Sequence, residues 1–215
     1  MNSHMCSPIF DAFPKKDIKF VIIQNLMSPR HSSALSLEHV LLALLDQKPM
    51  HGYELYQDLC AMPGISLIWN IKQPMLYAIL DKLEGRGFLS SHLAQGDSYP
   101  PRKYFHLTEA GRRSLQAWVK TPVRKARDFR QEFLAKLIVG RRYGKAIVFE
   151  LILAQEKACR AWYAELEANA PALDREHLDE WVVYSFRINR LEGMLSWLKT
   201  CEYELDRLLE LDPPA

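Results

Sequence analysis

Within Arg102-Lys103-Tyr104-Phe105-His106-Leu107-Thr108-Glu109, two adjacent cations lie next to aromatic rings, an imidazole, a hydroxyl and a carboxylate. A guanidinium and an ammonium side by side can neutralise phosphate oxygens, and the tip that would precede them, Gln95-Gly96-Asp97-Ser98, is short, polar and contains glycine. Lys103, Phe105 and Leu107 alternate with Tyr104 and His106, the period of two of a strand. Thr108 carries the hydroxyl that accepts a backbone N–H as N-cap, and Glu109 suits the positive end of a new helix. The spacing predicts a basic hairpin strand that runs directly into a capped helix.

Other chemistry lacks its residues. The sequence has no Gly-rich phosphate loop, no His-Glu-x-x-His and no serine or cysteine in a recognisable nucleophile setting, so no catalytic site is expected. Cys6, Cys60, Cys159 and Cys201 are 54, 99 and 42 residues apart, without the short spacing of a zinc site or a redox motif. They read as buried or incidental thiols, and neither a metal nor a cofactor is expected. A helical hairpin turning near Pro171 would set Cys159 opposite about residue 184 and Cys201 opposite about residue 142, so no bridge between them is expected.

The elements that would position the basic strand belong to a globular chain of 215 residues, 48% hydrophobic and 25% charged. The longest apolar runs, Phe20 to Ile23 and Val40 to Leu45, fall far below the roughly 18 residues of a membrane span. No membrane partner and a cytoplasmic location are expected. The net charge of +2 hides a polarity, because residues 1–145 carry 21 Lys and Arg against 12 Asp and Glu, whereas residues 146–215 carry 7 against 14. Arg102 to Lys145 is densest, with 13 basic side chains and 3 acidic ones. A polyanion would sit on that part.

Met1-Asn2-Ser3-His4-Met5 reads as an expression scar, and residues 1–34 as a tag remnant and N-terminal extension, in which Ile18 to Met27 is a short apolar stretch. Ser36 is expected to cap a helix to about Gln47, with Leu37, Val40, Leu41, Leu44 and Leu45 on one face. A second helix, Tyr53 to Cys60, is closed by Pro63-Gly64. Gln73 is expected to cap a third, with Pro74 at its first position, a core stripe of Leu76, Ile79, Leu80 and Leu83, and an end at Gly85 and Gly87. The hairpin Phe88 to Leu93 and Lys103 to Leu107 follows, then a fourth helix from Thr108 to Lys120. The fold class is mainly α: a winged helix-turn-helix with a two-stranded wing over residues 35–122, then a helical dimerisation domain over residues 123–215.

In that second part Phe129, Phe133 and Leu137 recur every fourth residue toward Gly140, and a helix from Gly144 to Asn169 breaks at Ala170-Pro171. From Asp174 to about Leu211, Trp181, Tyr184, Ile188, Leu191, Leu195, Leu198, Glu202, Leu205 and Leu209 alternate steps of three and four, a heptad seam. A second line, Val183, Phe186, Met194, Trp197, Cys201 and Leu208, widens the apolar surface. Trp181, Tyr184, Ile188, Leu191, Leu195, Leu198 and Leu205 are therefore the candidate dimerisation residues of an antiparallel coiled-coil-like hairpin that pairs with a second copy.

Three motifs in this order carry a family resemblance. The run from Gln73 through Leu76, Tyr77, Leu80, Lys82, Gly85 and Gly87 to Leu89 resembles the recognition helix of PadR-type regulators. Arg102 to Arg112 is similar to their wing-to-helix signature, and His51-Gly52-Tyr53-Glu54-Leu55 to the start of their second helix. The segment Arg127 to Leu137, followed by two long helices, resembles the subgroup with a virulence-activator-like C-terminal domain, in which the C-terminal helices form the dimer. The resemblance covers about residues 36–120. It implies a homodimeric transcriptional regulator, more commonly a repressor, that sets its third helix into successive major grooves of palindromic double-stranded DNA.

With the leucine stripe inward, Lys72, Gln73, Met75, Tyr77 and Lys82 become the recognition-helix candidates. Gln73 can bond an adenine edge, Met75 can touch a thymine methyl, and Tyr77 can reach a phosphate or a base. Arg102 and Lys103 are candidates for phosphate contacts, joined by His51 and Tyr53. A small-molecule effector in an aromatic-lined pocket between the two parts is a further expectation, with Trp118 and Trp162 as candidate ligand contacts. A winged-helix protein-interaction module is the alternative that the apolar helices also fit.

Overall fold

The computed structural model describes residues 31–94 and 102–209. Residues 1–30, which hold the scar and most of the extension, the wing tip at residues 95–101 and the last six residues lie outside the described residues. The chain opens with α1, His31–Leu45. Ser36 therefore lies inside the helix and does not cap it, since nothing in His31-Ser32-Ser33-Ala34-Leu35 forces the chain out of a helix. From Ser36 to Leu45 every residue except His39 is buried, so α1 is a central pillar and not a one-faced surface helix.

A two-residue strand β1, Met50–His51, leads into α2, Gly52–Ala61, and a single turn α3, Ile65–Ile68, follows Gly64. Gly64 has φ +83°, a backbone conformation that suits glycine. Helix α4, Gln73–Gly85, takes Lys72 as its N-cap without a side-chain bond, one residue before the expected Gln73. Pro74 sits in its first turn, where a missing N–H costs nothing, and Leu76, Ile79, Leu80 and Leu83 are buried as the stripe requires.

Strands β2, Leu89–Ala94, and β3, Arg102–Leu107, form the wing, and β1 joins them in an antiparallel sheet of order β1-β3-β2. The wing hairpin has the two expected strands, and the short β1 adds a third to the sheet. Met50 pairs with Phe105 and His51 with Tyr104, while Tyr104 also pairs with His92. Helix α5, Glu109–Lys120, is capped by Thr108, whose hydroxyl accepts the Gly111 N–H at 3.1 Å and donates to the Gly87 carbonyl at 2.7 Å.

Beyond Pro122 the chain passes through a 3₁₀ turn, Ala126–Asp128, a π-helical turn, Phe129–Phe133, and α6, Leu134–Gly140. Two long helices complete the structure, α7, Lys145–Asn169, and α8, Leu178–Leu209. Helix α8 begins after Asp174, whose Oδ1 accepts the backbone N–H groups of Glu176 and His177 at 3.0 and 2.8 Å. The hydroxyl of Tyr163 donates to Glu192 at 3.2 Å, and Cys159 packs in one cluster with Leu198. The wide turn shifts the register, so Cys159 does not face residue 184. Cys60, Cys159 and Cys201 are free thiols.

Two apolar cores result. One joins α1 to α5 with the wing and Val139, and the other joins Phe129, Phe133 and Leu137 to Leu151, Ile152, Cys159 and Leu198. Polar contacts tie the two cores together at their junction. Asp46, in the turn that follows α1, accepts from the Arg112 guanidinium and, at 2.9 Å, from the Tyr143 hydroxyl. Gln155 Oε1 accepts the Val123 N–H at 2.8 Å, and the Lys136 ammonium donates to the Thr121 carbonyl at 2.6 Å.

Candidate nucleic-acid interface

Helix α4 turns its leucines to the core and leaves Lys72, Gln73, Met75 and Tyr77 exposed. Lys82 is exposed as well and also reaches α1. Its ammonium donates to Glu38 Oε1 at 2.6 Å, while Arg86 donates to Glu38 Oε2 at 2.8 Å. The Glu38 carboxylate is 1% exposed and is held in the core by these two cations. Lys82 is thus fixed on the side of α4 that meets α1.

The alternation of β3 separates the two wing cations. Phe105 is buried, so Lys103 shares the inner face, where its ammonium donates to Glu84 Oε2 at 2.7 Å and lies 5.0 Å from the Phe105 ring centroid. The hydrogen bonds from Lys103 and Ser91 hold the Glu84 carboxyl below its ordinary value. Arg102, Tyr104 and His106 share the opposite, outer face with His92 and His51.

A cleft of about 680 Å³ opens between the start of α2, the exposed side of α4 and the wing root. It brings together His51, Tyr53, Tyr77, Arg102 and Lys103. Lys72, Gln73, Met75 and Lys82 lie outside its lining. Sequence reading missed Glu54, Gln57 and Asp81 in the same cleft. Glu54 bonds Lys48 at 2.6 Å, and that ammonium lowers its carboxyl. The signal for Glu54 lay in the motif His51-Gly52-Tyr53-Glu54-Leu55 itself.

His51 is the N-cap of α2. Its Nδ1 accepts the Glu54 N–H at 3.1 Å and its ring meets Tyr104 edge-on at 5.6 Å. Tyr77 leans across the first turn of α2, and a Cβ on Gly52 would come 2.5 Å from Tyr77 Cε1. The small residue after His51 is therefore what lets α4 seat its tyrosine against α2.

The effector candidates separate. Trp118 is buried in the first core, stacked on His39 at 4.9 Å with the Lys136 ammonium 5.1 Å from its ring centroid, and its indole N–H has no hydrogen-bond partner among the described residues. Trp162 packs beside the second core. A cavity of about 680 Å³ at the junction is lined instead by Leu134, Leu137, Ile138, Trp197, Cys201 and Leu205 with Arg130 and Arg141. Burial pushes the Cys201 thiol up to about 11.

In the C-terminal hairpin, Leu191 and Leu198 are 1% exposed and face α7 or the second core. Trp181, Tyr184, Ile188, Leu195 and Leu205 are half-buried along the same seam. Val182, Val183 and Phe186, the last 66% exposed, are among the apolar side chains left to solvent, with Leu178 and Tyr203 on the same helix. The seam is buried at Leu191 and Leu198 and partly open at Trp181, Tyr184 and Ile188, while of the neighbouring line Met194 and Cys201 pack on the second core and Val183 and Phe186 are exposed.

Residues 41–117 match the model of the transcriptional regulator PadR-like family. A probable transcriptional regulator, Rv1176c of Mycobacterium tuberculosis, is 23% identical over 180 residues, covering 76% of this chain and 94% of its own. Among solved structures, smu.1704 of Streptococcus mutans is 37% identical over 41% of this chain and 77% of its own, with a TM-score of 0.35. Bacillus subtilis PadR, solved in complex with operator DNA, is 19% identical over 76% of this chain and 96% of its own, with a TM-score of 0.37. Among the described residues, no helix is long and apolar enough to cross a membrane.

Proposed function

We propose that this chain, whose winged module is PadR-like over residues 41–117, is a sequence-specific DNA-binding transcriptional regulator that acts as a homodimer in the cytoplasm. The observation that supports this most is the continuous surface made by the exposed side of α4, with Gln73, Met75 and Tyr77, and by the cleft where Tyr77 meets Tyr53, His51 and Arg102. Gln73 and Met75 offer groups for an adenine edge and a thymine methyl, while Lys72 and Arg102 offer charge for phosphates. Lys103 contributes by pinning the wing to α4 through Glu84. We assign DNA binding to residues 35–122 and dimerisation to residues 123–215, with Val182, Val183 and Phe186 as the contact line supported by the seam's burial. By analogy with the family, the output is repression.

A gel shift with the chain's own upstream region tests this reading. Binding that survives excess random duplex and is lost in Gln73→Ala with Tyr77→Ala supports it, and indifference to sequence refutes it. A second reading, regulation by a small molecule, draws on the apolar junction cavity at Leu134, Ile138 and Trp197. Quenching or enhancement of Trp197 fluorescence by small phenolic or cationic compounds would test it.

A further inference from the structure

The outer face of the wing carries a row of rings, of which His51 also lines the cleft while Tyr104, His92 and His106 do not. His51 pairs with Tyr104 and Tyr104 with His92 across the three strands, and His106 stands two residues along β3 on the same face. The His92 and Tyr104 rings stack at 5.8 Å, and the two imidazoles of His92 and His106 lie 4.7 Å apart. His106 Nε2 and His92 Nδ1 are 2.6 Å from each other in an exposed contact. His92 and His106 are diagonal cross-strand neighbours, so a rigid antiparallel ladder fixes both Cβ positions.

We propose that His92 and His106 form a two-imidazole site for Zn²⁺ on the outer face of the wing. Zinc takes imidazole nitrogen at about 2.0–2.1 Å, so a tetrahedral centre needs its two nitrogens about 3.4 Å apart. The present separation of 2.6 Å is that of a close hydrogen-bonded pair and is short of that span by less than an ångström, an opening that small χ rotations of two exposed side chains supply. In the hydrogen-bonded pair one ring holds its proton on the converging nitrogen. Coordination moves that proton, through water, to the other nitrogen of the same ring, and both rings then present lone pairs with no net proton released.

Borderline ions with imidazole affinity suit this donor set, whereas magnesium and calcium, which prefer oxygen, do not. Among the described residues no cluster of three or more His, Cys, Asp or Glu could hold a metal, so water completes the coordination at the two-imidazole site. The ion would add two positive charges to the face that carries Arg102. It would also cross-link β2 to β3 near the open end of the hairpin.

The test is a ZnCl₂ titration of the full chain in a non-coordinating buffer, followed by calorimetry and by imidazole NMR, with MgCl₂ as the control ion. The result expected is joint movement of the His92 and His106 resonances, at least a tenfold rise in Kd for His92→Gln or His106→Gln, and no response to magnesium. Ser90 faces His106 in the ladder, so Ser90→His places a third imidazole on the same face and lowers Kd at least tenfold. That variant keeps both original rings and reads the site even where a glutamine variant disturbs the hairpin. Zinc binding within twofold of the parent in either glutamine variant, or unmoved His92 and His106 signals at saturation, overturns the proposal.

Discussion

Gly52 and Gly111 are two small residues with opposite consequences if enlarged. A Cβ at Gly52 meets only the outer part of the Tyr77 ring, which is 38% exposed and can swing away. Gly52→Ala is therefore expected to cost under about 1 kcal/mol in stability, while displacing Tyr77 and weakening DNA binding at least tenfold in a titration. At Gly111 the Cβ would run into the Phe88 carbonyl, backbone that the Thr108 N–H holds at 3.1 Å. Gly111→Ala is expected to destabilise by about 1–3 kcal/mol despite alanine's better helix propensity, which urea unfolding measures. The cap at Thr108 and the leucine stripe of α4 were legible in the sequence because their partners are local. Lys82 and Lys103 were not, since the carboxylates that hold them, Glu38 and Glu84, lie 44 and 19 residues away.

Lys136 is a buried ammonium, 2% exposed, held by Glu132 at 3.0 Å and by the Thr121 carbonyl. Burial pushes its pKa below the ordinary lysine value, against the raising effect of Glu132. Between the lowered folded value and the ordinary one, the unfolded chain binds more protons, so stability rises with pH across that window. Glu132→Gln removes the opposing charge, which is expected to cost about 3 kcal/mol at neutral pH and to extend the rise to lower pH. Melting curves between pH 7 and 10 check this, and parallel curves for parent and variant would contradict it.

At the scale of elements, periodicity in α8 announced a wide apolar surface without saying which stripe meets which partner. Tertiary packing decides that: Leu191 and Leu198 close against the chain itself, and Val182, Val183 and Phe186 are left outside. Leu198→Ala is accordingly expected to cost about 2–5 kcal/mol by leaving a cavity. Val183→Asp with Phe186→Asp is expected to leave the melting temperature of the hairpin nearly unchanged while shifting sedimentation from dimer to monomer. Dissociation by Leu198→Ala without loss of stability would reverse this assignment. The elements that sequence reading missed are the shortest: β1 has two residues, α3 four, and the π turn at Phe129–Phe133 hides inside a spacing of four that any helix satisfies. The burial of helix α1 on every side comes from α2, α4, α5, α6, the π turn and β3 together, and no local pattern encodes that many neighbours.

The whole molecule couples a reading module to a helical stalk through few polar contacts. Asp46 joins α1, α5 through Arg112 and the connector through Tyr143, and Gln155 of α7 holds the chain where it leaves α5 at Val123. Such a junction fixes the orientation of α4 relative to α8, and in the proposed dimer it would set the separation of the two α4 helices. Tyr143→Phe, which breaks the Asp46 link with little change in volume, is expected to relax the dependence of affinity on half-site spacing while keeping affinity for the preferred spacing within about threefold. The basic first part and acidic last part of the sequence were already arranged for a polyanion at one end, and that polarity was legible without the fold. Hydroxyl-radical footprinting of the full chain on its own upstream region tests the central claim most directly. Two protected half-sites about 34–36 Å apart, related by a two-fold axis, are expected of a dimer that seats α4 in successive major grooves. Uniform protection, or one isolated protected patch, would contradict it.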